Sequence, residues 1–194
     1  MPTTAVPTIL QDAGYLFWAP LATALPSNTV AGSKFTDAWP GAWLSFGATE
    51  DGSEFSYKTN VEAVKVAEFF DPIKWSTTER SGSFAFNLAD YTLNNYKRAL
   101  NGGTIATVSG TGATLLSKYT LPSPGGEVRA MLGWESLDNT VRIFAYQTIQ
   151  GGEVKSAFKK SPAMAMIPCS WNFEVPSAGQ PFEIFTAGLA RVGT

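Results

Sequence analysis

The sequence predicts a mainly-β protein, a β-sandwich or barrel with one flanking α-helix and one long protruding hairpin. Apolar and polar residues alternate with period two along most of the chain, as strands with one buried face require. Glycine, proline and Asx turn signals interrupt that alternation at short intervals. Helical spacing is convincing in a single segment only. No internal repeat and no shift of composition divides the 194 residues, so one domain is expected over 1–194.

The elements follow in chain order. Met1 to Leu10 carries no charge and holds Pro2 and Pro7, so residues 1–12 read as an arm that orders only against a neighbouring subunit. Residues 53–89 read as the long hairpin. Phe55, Tyr57, Thr59 and Val61 share one face of its first strand, and Glu54, Ser56, Lys58, Asn60 and Glu62 share the other. The phase slips at Ala63-Val64, which predicts a β-bulge there. Asp71-Pro72 predicts the turn at the tip, with Asp at its first position and Pro at its second. The returning strand turns Phe84, Phe86 and Leu88 inward and Ser83, Ala85 and Asn87 outward. The tip carries Phe69, Phe70, Ile73 and Trp75 around Asp71 and Pro72. Leaving that much apolar surface in water costs about 25 cal/mol per Å². Either the tip folds back onto its own domain or it inserts into a neighbouring subunit; the second is the expectation taken here.

Residues 92–101 predict the helix. Thr92 is its N-cap, Leu93, Tyr96 and Leu100 fall at helical spacing, Lys97 and Arg98 lie toward its negative end, and Gly102 stops it. Residues 101–126 are rich in Gly, Ser and Thr and read as loop with one short hairpin at most. Strands are then expected in EVRAMLGW, TVRIFAYQTI, EVKSAFKK, AMAMIP, WNFEV and PFEIFTA, with Trp171, Phe173 and Val175 on one face. Asp138-Asn139 and Gly151-Gly152 are the expected hairpin turns between neighbours.

Charged residues make up only 15% of the chain, against about 25% in ordinary soluble domains. Much of the surface is therefore expected to face other subunits. Residues 50–79 carry a net charge of −4 and residues 96–160 a net charge of +4. Either these charges form a scattered solvated surface, or they are complementary faces meeting across a subunit boundary. The net charge of −2 gives no basic excess for nucleic-acid binding. No apolar run approaches the ~20 residues of a membrane-spanning helix, so no membrane insertion is expected. The N-terminus lacks the basic and apolar regions of a signal peptide.

The chain has no histidine and one cysteine, Cys169. That excludes an internal disulfide, a Ser-His-Asp triad and the common His or paired-Cys metal sites. No phosphate-binding loop is present, and Ser109-Gly110-Thr111-Gly112 lacks the third glycine of a dinucleotide site. Cys169 reads as a small buried core residue. A pair of carboxylates is the one catalytic device left open. The expectation is a protein that is not an enzyme and needs no cofactor and no metal.

The N-terminal third carries a resemblance. GYLFWAPLATALPSNT, followed by KFTDAWPGAWLSFGATEDGSEFSY, resembles the opening of tail tube proteins of long non-contractile bacteriophage tails, especially phages of actinobacteria. The matching positions are Ala19, Pro20, Leu21, Thr23, Leu25 and Pro26, then Gly47, Thr49, Glu50 and Gly52. Ala22 stands where that family often has glycine. The likeness runs through the VAEFFDPIKW hairpin and TLNNYKRALNGGT, covering residues 14–104. It implies a tail-tube-like β-sandwich that forms hexameric rings whose inner sheets join into a continuous barrel. Stacked rings, bridged by the long hairpin and terminal arms, would form the virion tail, assembled in the host cytoplasm. Genomic DNA would pass through the lumen without specific binding. The partners implied are further copies of the chain and the tape measure, terminator and distal tail proteins. A basic lining would hold DNA back, so Glu54, Ser56, Lys58, Asn60, Glu62, Ser83 and Asn87 are the candidate lumen-facing residues. The alternative is that Glu54 and Glu62 pair with the basic region of the next subunit. Rival readings are a head–tail connector or tail terminator ring, a carbohydrate-binding β-sandwich, and a carboxylate-based hydrolase.

Overall fold

Strand alternation of this kind should fold into antiparallel sheets, and it does. The computed structural model describes residues 13–158 and 164–188; the expected arm over 1–12 lies outside them. The strands are β1 (Gly14–Pro20), β2 (Val30–Ala31), β3 (Lys34–Phe35), β4 (Leu44–Ser45), β5 (Thr49–Val64), β6 (Lys74–Leu88), β7 (Thr104–Ser109), β8 (Leu116–Thr120), β9 (Ala130–Ser136), β10 (Val141–Gln150), β11 (Ile167–Phe173) and β12 (Phe182–Thr186). Helix α1 spans Leu93–Ala99. The main sheet runs β4-β1-β9-β10-β11-β6-β5, with β12 also paired to β10; β2-β3 and β7-β8 are separate hairpins. Every pairing is antiparallel.

Strand β10 turns the sheet over on itself. Along one edge it pairs with β9. Along the other it pairs first with β12, from Val141↔Thr186 to Ala145↔Phe182, and then with β11, from Thr148↔Phe173 to Gln150↔Trp171. The β9 register slips by one residue between Ala145 and Thr148. Such a bulge bends a strand, and bent strands make the corners of β-sandwiches. The main core fills the fold: Leu16, Leu132 and Trp134 meet Phe84, Phe86, Leu88, Ile167, Cys169 and Trp171, with Phe46 and the helical Ala99. The Phe46 ring lies edge-on to Phe86 at 5.2 Å and to Trp171 at 6.4 Å.

A second cluster covers the opposite face of the β1-β9-β10 region. Ala19, Met131 and Phe144 lie there under Trp43, with Trp39 packed alongside. All seven residues of β9 are accordingly buried. Gly133 permits this, since a Cβ there would sit 2.4 Å from the Trp39 ring. Trp39 also stacks on Phe17 at 4.1 Å. An ion pair holds this covering segment down. Arg142 Nε donates to Glu135 at 2.7 Å, both nearly inaccessible. The other guanidinium nitrogens donate to Asn28 Oδ1 at 3.1 Å and to the Asp37 carbonyl at 2.6 Å, while Trp39 Nε1 donates to Glu135.

Several expectations need correction. The bulge in the long hairpin lies on the returning strand at Thr78, where Asn60 pairs with Glu79 and Val61 with Thr77; Ala63 and Val64 pair regularly. Near the tip neither face is buried, so the apolar phase carries no register information. The turn closes from Phe69 N–H to Val66 O, and Asp71-Pro72 follows it. The helix ends in a Schellman motif, with Gly102 N–H on Lys97 O, Asn101 N–H on Arg98 O, and Asn101 itself left-handed at φ 56°. The described part of EVKSAFKK, 153–158, is not a strand, so Gly151-Gly152 is no hairpin turn. AMAMIP and WNFEV contribute to one strand, β11, and Val175 lies beyond it, exposed. Pro168 is tolerated within β11 because β10 pairs only with Trp171, Asn172 and Phe173. Ala22 adopts φ 61° in a turn closed by Thr23 N–H on Pro20 O. That conformation favours glycine.

Replacing Arg142 with Ala leaves the Glu135 carboxylate buried without its cation, with only the Trp39 N–H still donating to it. The expected loss is about 3–5 kcal/mol, measured as a lowered midpoint in urea. A loss below about 1 kcal/mol would mean that the covering segment is held by its aromatic rings alone.

Candidate functional site

The hairpin β5-β6 is the site the sequence singles out, and its geometry follows from register. Paired residues point to the same face. The pairs Phe55↔Phe84, Tyr57↔Gly82, Val61↔Thr77 and Ala63↔Trp75 form one face, and Glu54↔Ala85, Ser56↔Ser83, Lys58↔Ser81, Asn60↔Glu79 and Glu62↔Ser76 form the other. Glu54, Ser56, Lys58, Asn60, Glu62, Ser83 and Asn87 are thus brought together on one polar face. Five of them are exposed; Asn60 and Ser83 are half-buried. Hydroxyls of Ser56 and Ser83 meet at 3.2 Å, and Asn60 Nδ2 donates to Glu79 Oε2 at 3.0 Å. Strand β11 extends this face, as Ser170 pairs with Ala85 and Asn172 with Ser83. Among the described residues the ion pairs are Arg129–Glu174 and Arg142–Glu135, so Glu54 and Glu62 have no cationic partner within the described chain. The same pairs withdraw Arg129 and Arg142 from the basic 96–160 surface.

The opposite face is aromatic at the root. Phe55 meets Phe84 at 5.4 Å, Phe173 at 5.8 Å and Phe182 at 5.1 Å, and Tyr57 meets Phe182 at 5.1 Å. Gly82 makes the close packing feasible, because a Cβ there would lie 2.6 Å from the Phe173 ring and 2.9 Å from Tyr57. Beyond this point the ribbon leaves the body. From Tyr57 to Val64 it projects roughly 24 Å at about 3.4 Å per residue. Neither face is buried there: Val61, Val64, Val66, Ile73, Phe69 and Trp75 are exposed, and Phe70 is 106% exposed. Pro72 is half-buried and Asp71 exposed within the tip. The tip therefore does not fold back on its own domain.

Sequence reading placed Val61 on the apolar face of the hairpin, where the structure has it, and missed Glu79 on the polar face. The one short hairpin allowed for within residues 101–126 is β7-β8. That hairpin exposes Val108, Leu115 and Leu116, a second projection close to α1. A groove of about 460 Å³ runs along the polar face past Glu54, Asn87, Glu153 and Ser170. No group of three or more His, Cys, Asp or Glu side chains able to hold a metal occurs among the described residues. Burial pushes the Cys169 thiol up to about 12, against a small opposing effect of the Trp171 side chain. A thiol so raised is no nucleophile near neutral pH. Among the described residues no helix is long and apolar enough to cross a membrane.

Comparison with known proteins finds no matching family and no matching curated sequence.

Phe70→Ser combined with Trp75→Ser removes two side chains that touch no core residue. The isolated chain should keep its melting temperature within about 2 °C, as exposed substitutions do. A fall of 5 °C or more by calorimetry would place the tip against its own body.

Proposed function

We propose that this chain is the major tail tube protein of a long non-contractile bacteriophage tail, a structural virion subunit and not an enzyme. It polymerises as stacked hexameric rings, assembled in the host cytoplasm, into the tube that conducts genomic DNA. The observation that carries this reading is the projecting hairpin: a two-stranded ribbon with a polar face, an apolar face, and a tip of large apolar side chains open to solvent. A single chain gains nothing from such a tip, and a second copy does.

Magnitudes favour many weak contacts over one strong one. Fully burying Phe69, Phe70, Ile73 and Trp75 would stabilise by roughly 6–12 kcal/mol at about 1.5–3 kcal/mol each. Losing the freedom of one subunit costs about 4–15 kcal/mol. One tip alone roughly balances that loss, so stable association needs ring contacts as well. Strand β5 supplies a candidate, since among the described residues its 16 residues pair only with β6 and leave one edge open. An open edge of that length invites pairing with another chain. In this reading the polar face of β5, β6 and β11 lines the lumen. Its hydrated, weakly acidic surface neither binds phosphate nor strips water from it. Tape measure, terminator and distal tail proteins are the further partners.

Negative-stain microscopy of the purified protein tests the reading: hollow tubes are expected. Single rings that never stack would move the chain to the connector or terminator class, and a monomer at all concentrations would sink both. In phage particles, Glu54→Lys with Glu62→Lys should leave tubes intact and slow DNA ejection, more at low salt than at high. Loss of tubes in that variant would place the two carboxylates in a subunit interface instead.

A further inference from the structure

We infer that the cleft beside α1 is the receptor for the hairpin tip of a second copy of this chain, with Phe70 as the inserted side chain. The inference rests on the tube reading and names the contact that stacks one ring on the next. The cleft holds about 280 Å³ between Trp18, Leu44, Val128 and Trp171, with Lys97 and Arg98 along it. Its apolar walls are open, since Leu44 and Val128 are each 46% exposed. Arg98 is held in place: Nη1 donates to Ser45 O at 2.9 Å and to Asn95 Oδ1 at 3.0 Å, and the guanidinium lies over Trp18 at 5.6 Å and Phe46 at 5.2 Å.

The tip is the complement of that cleft. Phe69 and Phe70 stand between Glu68 and Asp71, two aromatic rings with a carboxylate on either side, while Lys65 and Lys74 are set further back from the tip. An aromatic wall with the fixed Arg98 guanidinium and the Lys97 ammonium at its margin suits such a group. Two other clefts do not. The 310 Å³ cleft lined by Leu21, Leu25, Met131, Tyr146 and Pro176 contains no basic side chain. The groove on the polar face presents Asp51, Glu54 and Glu153, which would repel the tip. The competing occupant, the segment 1–12, has no aromatic residue and a single acid, Asp12.

Placement in the fold agrees. Strand β6 runs from the tip to Leu88, and α1 begins at Leu93. Tip and cleft therefore lie at opposite ends of the hairpin. Contact between them can repeat head-to-tail, the heterologous kind that builds open stacks when its rotation does not close into a ring.

The test places a photo-activated benzophenone side chain at position 70 of the full chain and irradiates assembled material. Cross-links should map to peptides of a neighbouring copy that contain Leu44, Asn94 to Arg98, or Val128. Tubes that form with position 70 cross-linked elsewhere on the neighbour overturn the docking site and leave the tube reading standing. A chain that sediments as a monomer at every concentration overturns both. Charge exchange gives an independent measure. Lys97→Glu should raise the critical concentration for assembly by about fivefold or more while lowering the melting temperature by no more than about 4 °C, the cost of reversing a charge at the helix end, and adding Glu68→Lys should recover most of the lost assembly. Unchanged assembly in Lys97→Glu, or no recovery in the pair, overturns the assignment.

Discussion

Two strands cannot occupy the same stretch of one edge, and β10 has both β11 and β12 on one of its edges. The bulge at Tyr146-Gln147 resolves the conflict by bending β10 where β12 ends and β11 begins. The two residues at the bend find partners outside the β9 ladder. Tyr146 N–H donates to Pro181 O at 3.0 Å, and Gln147 O accepts from Glu174 N–H at 2.9 Å. Glu174 then braces the corner with its side chain, accepting from Arg129 Nε at 2.6 Å and Gln147 Nε2 at 2.8 Å. Those donors hold its carboxyl below the usual range. Everything on the far side inherits this bend: β11 takes its position from the end of β10, β6 from β11, and β5 from β6.

The hairpin was legible in the sequence because its root is half-buried and period two is strong where one face is dry. Phe84, Phe86 and Leu88 face the core as their spacing requires. Thr92 caps α1, its hydroxyl accepting from Asn95 N–H at 3.2 Å, as its place before Leu93 suggested. Legibility failed where burial did. At the tip, solvent on both faces removed the phase that would have located the bulge at Thr78. It failed again where contacts are long-range. Arg142 and Glu135 look like surface charges in a strand pattern, and only the cross-strand pairing under residues 28–39 makes them a buried pair. The cleft beside α1 was equally hidden, because β1, β4, α1 and β11 each contribute part of it.

The scarcity of charge takes on a clearer meaning once two arginines are assigned to internal pairs. What remains near α1 is a small basic area of Lys97 and Arg98 with Asp90 close by, and what remains on the hairpin is a polar face with an aromatic tip that carries Glu68 and Asp71 ahead of Lys65 and Lys74. Low charge content thus coexists with strong local contrast. An apolar surface alone would associate in many registers; sparse charges at its margins restrict which registers are tolerated.

A ribbon of this shape has unequal stiffness. Tension applied at the tip runs along both covalent strands and reaches the body through the β6-β11 ladder, from Ser83↔Asn172 to Leu88↔Ile167. That ladder is loaded in shear, so its six residue pairs resist together and cannot be opened one at a time. Across its thin direction the same ribbon is only two strands deep and free to twist. A body tethered through such an arm can tilt and rotate relative to its neighbour while strongly resisting being pulled away, which is the mechanical behaviour of a flexible cable.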